Sequence, residues 1–280
     1  MALFRAVETA GPRGLRLFDD PYAVSLLSGR LRALAQFSTW PLVGRLVPWL
    51  LDVGWPRTRS SGVVRTRLID DLAREAIRDG ARQLLLLGAG FDSRPYRLPE
   101  ADSIAVFEVD HPATQQAKRE RLQHLPANVH FVPVDFEKHD LEQALHSSGF
   151  NPECVSIAIW EGVISYLTPA AVDRNFDVLR RLLAPHSRLV FSYVHRGALD
   201  GSVTFAEARR WKWWVGRSGE PFIFGFDPAE LPNYLRAYGF ELRSDVSTAE
   251  AARAYCEPLA RREPGSELYR IALAGRVIIA

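Results

Sequence analysis

The sequence predicts an α/β protein with a seven-stranded, mostly parallel sheet covered by helices on both faces, a helical N-terminal extension, and an insertion after the fifth strand. Three observations predict it. After Gly80, short apolar runs alternate with helix-like segments, the order a parallel sheet with two covered faces requires. The first run, Leu84 to Leu87, stops on Gly88-Ala89-Gly90, a turn suited to the carboxyl edge of such a sheet. From Phe18 to about Gly80, by contrast, the signals are helical and no alternating run suggests a strand.

The extension opens with "DDPYAVSLLSG", which offers Asp20 as an N-cap, Pro21 in the first turn and Gly29 as a stop. "WPLVGRLVPWLL", Trp40 to Leu51, is too short to span a bilayer and contains Arg45 and two prolines. A buried or lid-like helix is expected there, with a membrane-surface contact as the alternative. "GVVRTRLIDDLAREAIRDG" predicts a helix whose apolar stripe is Leu68, Ile69, Leu72, Ala73 and Ala76.

Strands follow at Leu84–Leu87, Ile104–Val109, Val129–Val134, Val155–Trp160 and Leu189–Val194, the first four separated by about the length of a crossover helix. Phe240–Arg243 and Leu268–Ile279 complete seven. Helix starts are marked by Asp110-His111-Pro112, Thr168-Pro169 and Asp227-Pro228. After Thr168-Pro169, one helical face carries Val172, Phe176, Leu179 and Leu183. The expected division is a helical cap over 1–62 and a catalytic domain over 63–280, with 197–226 as a lid.

With 35 basic and 33 acidic residues, the net charge of +2 provides no field to gather nucleic acid. Cys154 and Cys256 belong to no CxxC or Cys/His cluster, so neither a metal site nor a disulfide framework is expected, and a reducing cytoplasm fits. "MALFRAVETAGPRG" lacks the long apolar core of a secretory signal, and no stable membrane insertion is expected.

The glycine turn departs from a dinucleotide fingerprint. The third small position is Ser93, preceded by Asp92, whose charge would repel a pyrophosphate. A nucleoside with a cationic or zwitterionic end suits the turn better. Asp110 ends the second strand twenty residues past Gly90, where a carboxylate can take both ribose hydroxyls, or it caps the next helix. Asp135 and Phe136 end the third strand and can meet an adenine, or Asp135 caps its loop. Glu161 lies between apolar runs, so it needs a cation: a protein arginine, or a ligand ammonium or sulfonium. Helical phasing puts Arg65 in the apolar stripe, with Arg67 on the other side beside Arg74. Its anion is Glu161, Asp92 or a bound carboxylate, and the last fits best.

Together "FDDPYA", "VRTRLIDD", "LLGAGFDSRPYRLP", "VFEVDHP", "WEGVISYL" and "GEPFIFGFDPAEL" resemble the leucine carboxyl methyltransferase-like family, in its bacterial branch of S-adenosylmethionine-dependent O-methyltransferases associated with polyketide and secondary metabolism. The resemblance implies a class I, Rossmann-like methyltransferase fold with S-adenosyl-L-methionine as cofactor. It implies Arg65 on the methionine carboxylate, Gly88, Ala89, Gly90 and Asp92 around the methionine part, Asp110 on the ribose, Asp135 and Phe136 at the adenine, and Glu161 at the sulfonium. The N-terminal part lacks the lysine that eukaryotic members place near the cofactor.

The acceptor would be a small molecule or peptide offering a carboxylate or hydroxyl. A carboxylate arrives ionised, whereas a hydroxyl needs a base near neutral pH. His195 can titrate in that range, and Tyr166 and Tyr193 can orient an acceptor oxygen. No base stands out, which favours a carboxylate. The aromatic segment from Trp211 to Phe226 can close an apolar pocket over a bulky acceptor, with Arg209, Arg210, Lys212 and Arg217 attracting an acidic group. The competing functions are a nicotinamide-linked oxidoreductase and a non-catalytic module that binds the same cofactor.

Overall fold

The computed structural model describes residues 1–40, 44, 46–122, 124–136, 140–205 and 221–277. Helices α1 (Ala2–Ala10), α2 (Gly29–Phe37) and α3 (Leu46–Gly54) lead into the long α4 (Thr58–Arg78). The sheet then alternates: β1 (Gln83–Leu87), α5 (Arg94–Arg97), β2 (Ala105–Asp110), α6 (Pro112–Arg121), β3 (Val129–Pro133), α7 (Leu141–Ser147), β4 (Ser156–Trp160), α8 (Pro169–Leu182) and β5 (Arg188–Val194). Next come α9 (Arg196–Asp200), α10 (Leu231–Ala237), β6 (Phe240–Ser247), α11 (Thr248–Cys256) and β7 (Tyr269–Arg276).

The seven strands lie in the order β3-β2-β1-β4-β5-β7-β6. The first five are parallel, and β7 runs antiparallel between β5 and β6. The expected sheet is therefore present. From β1 the chain goes to β2 on one side and later returns to β4 on the other, so a crevice opens between the loops after β1 and β4.

Both faces are covered as the apolar stripes require. Ile69, Ala73 and Ala76 of α4 pack with Leu84, Leu86, Ile157 and Ile159 on one face. Val172, Phe176 and Leu179 of α8, and Leu183 just after it, join Trp160 and Phe191 on the other. The long α4 runs through the expected 62/63 boundary.

Three local expectations change. Asp20 starts no helix: residues 21–26 form successive turns. Its buried carboxylate accepts from Arg5 Nε at 2.7 Å and from Ser93 Oγ at 2.5 Å, besides Tyr22 N–H at 3.1 Å. Gly29, with φ of +50°, opens α2 rather than closing a helix. The β1–β2 connection holds only the single turn α5 and a 3₁₀ turn at Pro99–Ser103, because Pro99 bars the α conformation at Leu98. Segment 206–220, with Trp211, Trp213, Trp214 and the basic residues among them, lies outside the described residues.

Candidate functional site

Leu86 pairs with Ile159 across the β1–β4 switch, so the turns that follow, at Gly88 and at Glu161-Gly162, face each other. Gly88 adopts φ of +66°, and a Cβ there would come within 2.3 Å of Val163 Cγ2. Only glycine meets both conditions. Gly162 has φ of +73°, and its N–H donates to Ser192 Oγ at 2.9 Å, which ties this turn to β5.

A cavity of about 190 Å³ opens here, lined by Arg65, Gly88, Ala89, Gly90, Phe91, Asp92, Glu161 and Gly162, with Ala2 and Arg5 of α1 closing one side. A second, of about 290 Å³, adjoins it through Arg65 and Gly162. Its lining includes Phe4, Thr58, Ser61, Ser165, Tyr166, Ser192, Tyr193, Phe222 and Tyr269. Tyr166 and Phe222 meet edge-on, their rings 4.8 Å apart.

Charge at the first cavity is organised by two arginines. Arg65 Nε donates to Glu161 Oε1 at 2.8 Å, and Arg94 Nη1 donates to Glu161 Oε2 at 2.8 Å. Arg94, 2% exposed, also bonds Asp92 Oδ2 at 2.5 Å and Asp70 Oδ1 at 2.8 Å. Burial alone would raise the Glu161 pKa, but Arg94 and then Arg65 hold it down at about 2. Asp92 is likewise lowered: burial acts against the charge and Arg94 prevails.

The helical phasing holds. Arg67 turns away from the site, bonding Asp71 Oδ2 at 2.9 Å and the Leu17 carbonyl at 2.7 Å. Of the protein anions open to Arg65, Glu161 is its partner. Asp92 is no bare anion at the turn, so the repulsion expected of it is offset by Arg94. Ser93, fully buried, bonds Asp20.

Asp110 accepts the Gly90 N–H at 2.5 Å and the His111 N–H at 2.6 Å. The cap of α6 is His111, whose Nδ1 accepts from Ala113 N–H at 3.3 Å. Asp110 thus fixes the glycine turn and lies beside it. Asp135 and Phe136 follow β3, one strand beyond β2, outside the described lining of both cavities. Glu108, on the same strand as Asp110, is fully buried and bonded to Lys118 Nζ at 2.8 Å and Tyr96 Oη at 2.8 Å.

Tyr193 lines the second cavity, but its hydroxyl donates to Asp245 Oδ2 at 2.7 Å, and burial raises its pKa. His195 lies outside the described lining of both cavities; its Nδ1 caps α9 at Gly197 N–H, 3.0 Å away, and burial lowers its pKa. Sequence reasoning missed Arg5, Phe91, Arg94, Val163 and Ser192. For Arg94 a signal existed: "DSRPYR" places it two residues past Asp92, right after the glycine turn.

A parallel sheet with a glycine turn and an ion-paired acid facing each other at its switch point makes this an α/β protein with a candidate ligand crevice at that edge. A solved structure of a methyltransferase-type protein from Thermobifida fusca superposes with a TM-score of 0.63 at 19% identity over 97% of each chain. A protein of Streptomyces avermitilis gives 0.58 at 16% identity over 96% of this chain and 99% of its own. Both share the α/β fold of this chain.

The leucine carboxyl methyltransferase family matches residues 1–180, and the chain belongs to that family. A Mycolicibacterium gilvum relative, assigned to the S-adenosyl-L-methionine-dependent methyltransferases, is 30% identical over 96% of this chain and 91% of its own length. A Mycobacterium avium relative of the same assignment is 34% identical over 69% of this chain, a match that spans 64% of the relative.

Proposed function

We propose that this chain is an S-adenosylmethionine-dependent O-methyltransferase that acts on a carboxylate, or else a hydroxyl, of a small-molecule or peptide natural product. The observation that carries this reading is Arg65, paired with Glu161 in the wall shared by two adjoining cavities. The residues fit the cofactor. Gly162 leaves backbone open beside the first cavity, with Arg65 Nη2 3.9 Å from where a Cβ would stand, and Gly88 lets Val163 pack against the turn that lines it. The carboxylates suit the cationic and ribose parts.

When bound, the cofactor supplies an electrophilic methyl on a sulfonium that carries its own leaving group. Arg65 would hold the methionine carboxylate, Asp110 would take the ribose beside the turn it braces, and Asp135 with Phe136, which lie beyond the described lining of the first cavity, would meet the adenine. Glu161, kept ionised by Arg94 and Arg65, would face the sulfonium. The chain's contribution is alignment and exclusion of water.

A carboxylate acceptor is supported by the second cavity, whose described lining carries hydroxyls, aromatic rings and one guanidinium but no histidine or carboxylate. A hydroxyl acceptor would require a base there. The test is incubation with methyl-labelled cofactor and a panel of carboxylic acids and phenols, followed by alkali. Label lost to alkali marks esters, retained label marks aryl ethers, and no transfer to any acceptor leaves a binding module. Calorimetry with S-adenosylhomocysteine and NADH separates the oxidoreductase reading, which requires heat from NADH alone.

A further inference from the structure

Ser192 is a polar residue at a position where β5 otherwise packs apolar side chains. Val190, two residues earlier, joins Ile159, Ile271 and the α4 side chains Ile69 and Ala73 in the core on one face of the sheet. Side chains alternate along a strand, so Ser192 projects from that same face, toward α4, and it is only 5% exposed. Trp160 of β4 pairs with Phe191, which brings Ser192 beside the turn after β4. Tyr193 lies on the opposite face, and its hydroxyl is spent on Asp245.

A serine hydroxyl has two acceptor sites and one proton. The Gly162 N–H fills one acceptor site of Ser192 and fixes the oxygen at the border of the second cavity. Among the described residues, nothing takes the proton. Glu161, the acid beside it in the turn, has its two oxygens bonded to Arg65 and Arg94. A buried donor left without an acceptor is costly, so the cavity is where its partner belongs. Arg65 lines the same cavity from α4; it spends Nε on Glu161, and its terminal nitrogens have no partner among the described residues. The unspent capacity of both side chains is N–H and O–H, which suits an anionic oxygen. Glu161 does not oppose such a ligand, because two arginines already hold its charge.

We propose that Ser192 selects the methyl acceptor by donating its O–H to the acceptor's carboxylate. The inference rests on the carboxylate reading of the site given above. An ionised carboxylate needs no base, so Ser192 keeps its proton throughout. The test uses benzoate, phenylacetate and octanoate. Each is titrated calorimetrically into the protein saturated with S-adenosylhomocysteine, and methyl transfer to each is read as alkali-labile label. The parent should bind and esterify at least one of them. Ser192→Ala should weaken binding of that acid, and raise its KM, by about tenfold or more, as expected for a lost hydrogen bond to a charged group. The kcat should change little, because the bond is made before and during transfer alike. S-adenosylhomocysteine affinity should stay near that of the parent. Ser192→Thr keeps the O–H and should recover most of the acid affinity; if it fails to fold, Ser192→Cys, a weaker donor, should recover part. Unchanged acid affinity in Ser192→Ala, or an equal loss for the acid and for S-adenosylhomocysteine, would overturn the proposal and leave Ser192 as a brace for the Gly162 turn. A parent that binds and esterifies none of the acids would overturn the carboxylate reading, and this proposal with it.

Discussion

Arg65 and Glu161, 96 residues apart in sequence, lie 2.8 Å apart in the structure, joined by Nε and Oε1. One comes from α4, which covers one face of the sheet, and the other from the turn after β4. Their side chains are only 12% and 15% exposed, so each depends on the other, and Glu161 also on Arg94, to offset the loss of water. The pair fixes the position of α4 over the switch-point crevice and leaves the rest of the guanidinium available at the wall between two cavities.

Replacing Arg65 with alanine should weaken S-adenosylhomocysteine binding by about 1 to 3 kcal/mol, the range for a charged hydrogen bond left half-made. Arg67→Ala should change it little, since that side chain is 36% exposed and turned toward Asp71. Calorimetric titration of both variants is the measurement. Equal losses would mean that the cofactor carboxylate is not held through Arg65.

The depressed pKa of Glu161 predicts a contribution to acid stability. Its folded value, about 2, lies below the ordinary 4.5, so the stabilisation is complete above pH 4.5 and is lost as pH falls toward 2. Urea midpoints taken across that window should fall more steeply in the parent than in Glu161→Gln, which carries no titratable group there. Parallel curves would remove Glu161 as a source of the acid dependence.

The candidate site was legible in part, and the reason differs by residue. Arg65 could be placed because a charge in an apolar helical stripe has to be explained by an anion, and Glu161 because it interrupts a buried run. The glycine turn was visible because a glycine pair at the end of an apolar strand is rarely idle. Asp20 was misjudged: Asp-Pro reads as a helix start, yet the carboxylate serves Arg5 and Ser93, partners that only the tertiary fold supplies. That Leu46, Trp49, Leu50 and Val53 of α3 turn outward was equally opaque, because spacing gives a face without saying whether the core or solvent receives it. In the β1–β2 connection, Pro99 carried the signal that the crossover helix would stop after one turn.

Gly88→Ala should be destabilising for two separable reasons. The positive φ carries a penalty of about 1 to 2 kcal/mol for an L side chain, and the new Cβ would stand 2.3 Å from Val163 Cγ2. Adding Val163→Ala removes the clashing methyl but not the backbone strain. Chemical denaturation should therefore show the double variant to be more stable than the two single losses added together. Strict additivity would show that the two residues do not meet.

Arg94 is the most consequential side chain in this network, since it joins Asp70, Asp92 and Glu161 while almost wholly buried. Without Arg94, Asp70 keeps Arg97, whose Nη1 and Nη2 bond it at 2.6 and 2.8 Å, but among the described residues Asp92 loses its ion-pair partner and Glu161 retains only the pair with Arg65. Arg94→Met should then lower unfolding stability by about 3 to 5 kcal/mol, the range for a buried ion pair broken on one side. Arg94→Lys should recover only part, because a single ammonium cannot present the planar fork that reaches three carboxylates at once. Combining Arg94→Met with Glu161→Gln removes one stranded charge and should restore some of the loss, a coupling visible in a double-mutant cycle from urea midpoints. If Arg94→Met unfolds at the parent midpoint, the ion pairs around Glu161 contribute nothing net, and the site must owe its shape to the packing of α4 against β4 alone.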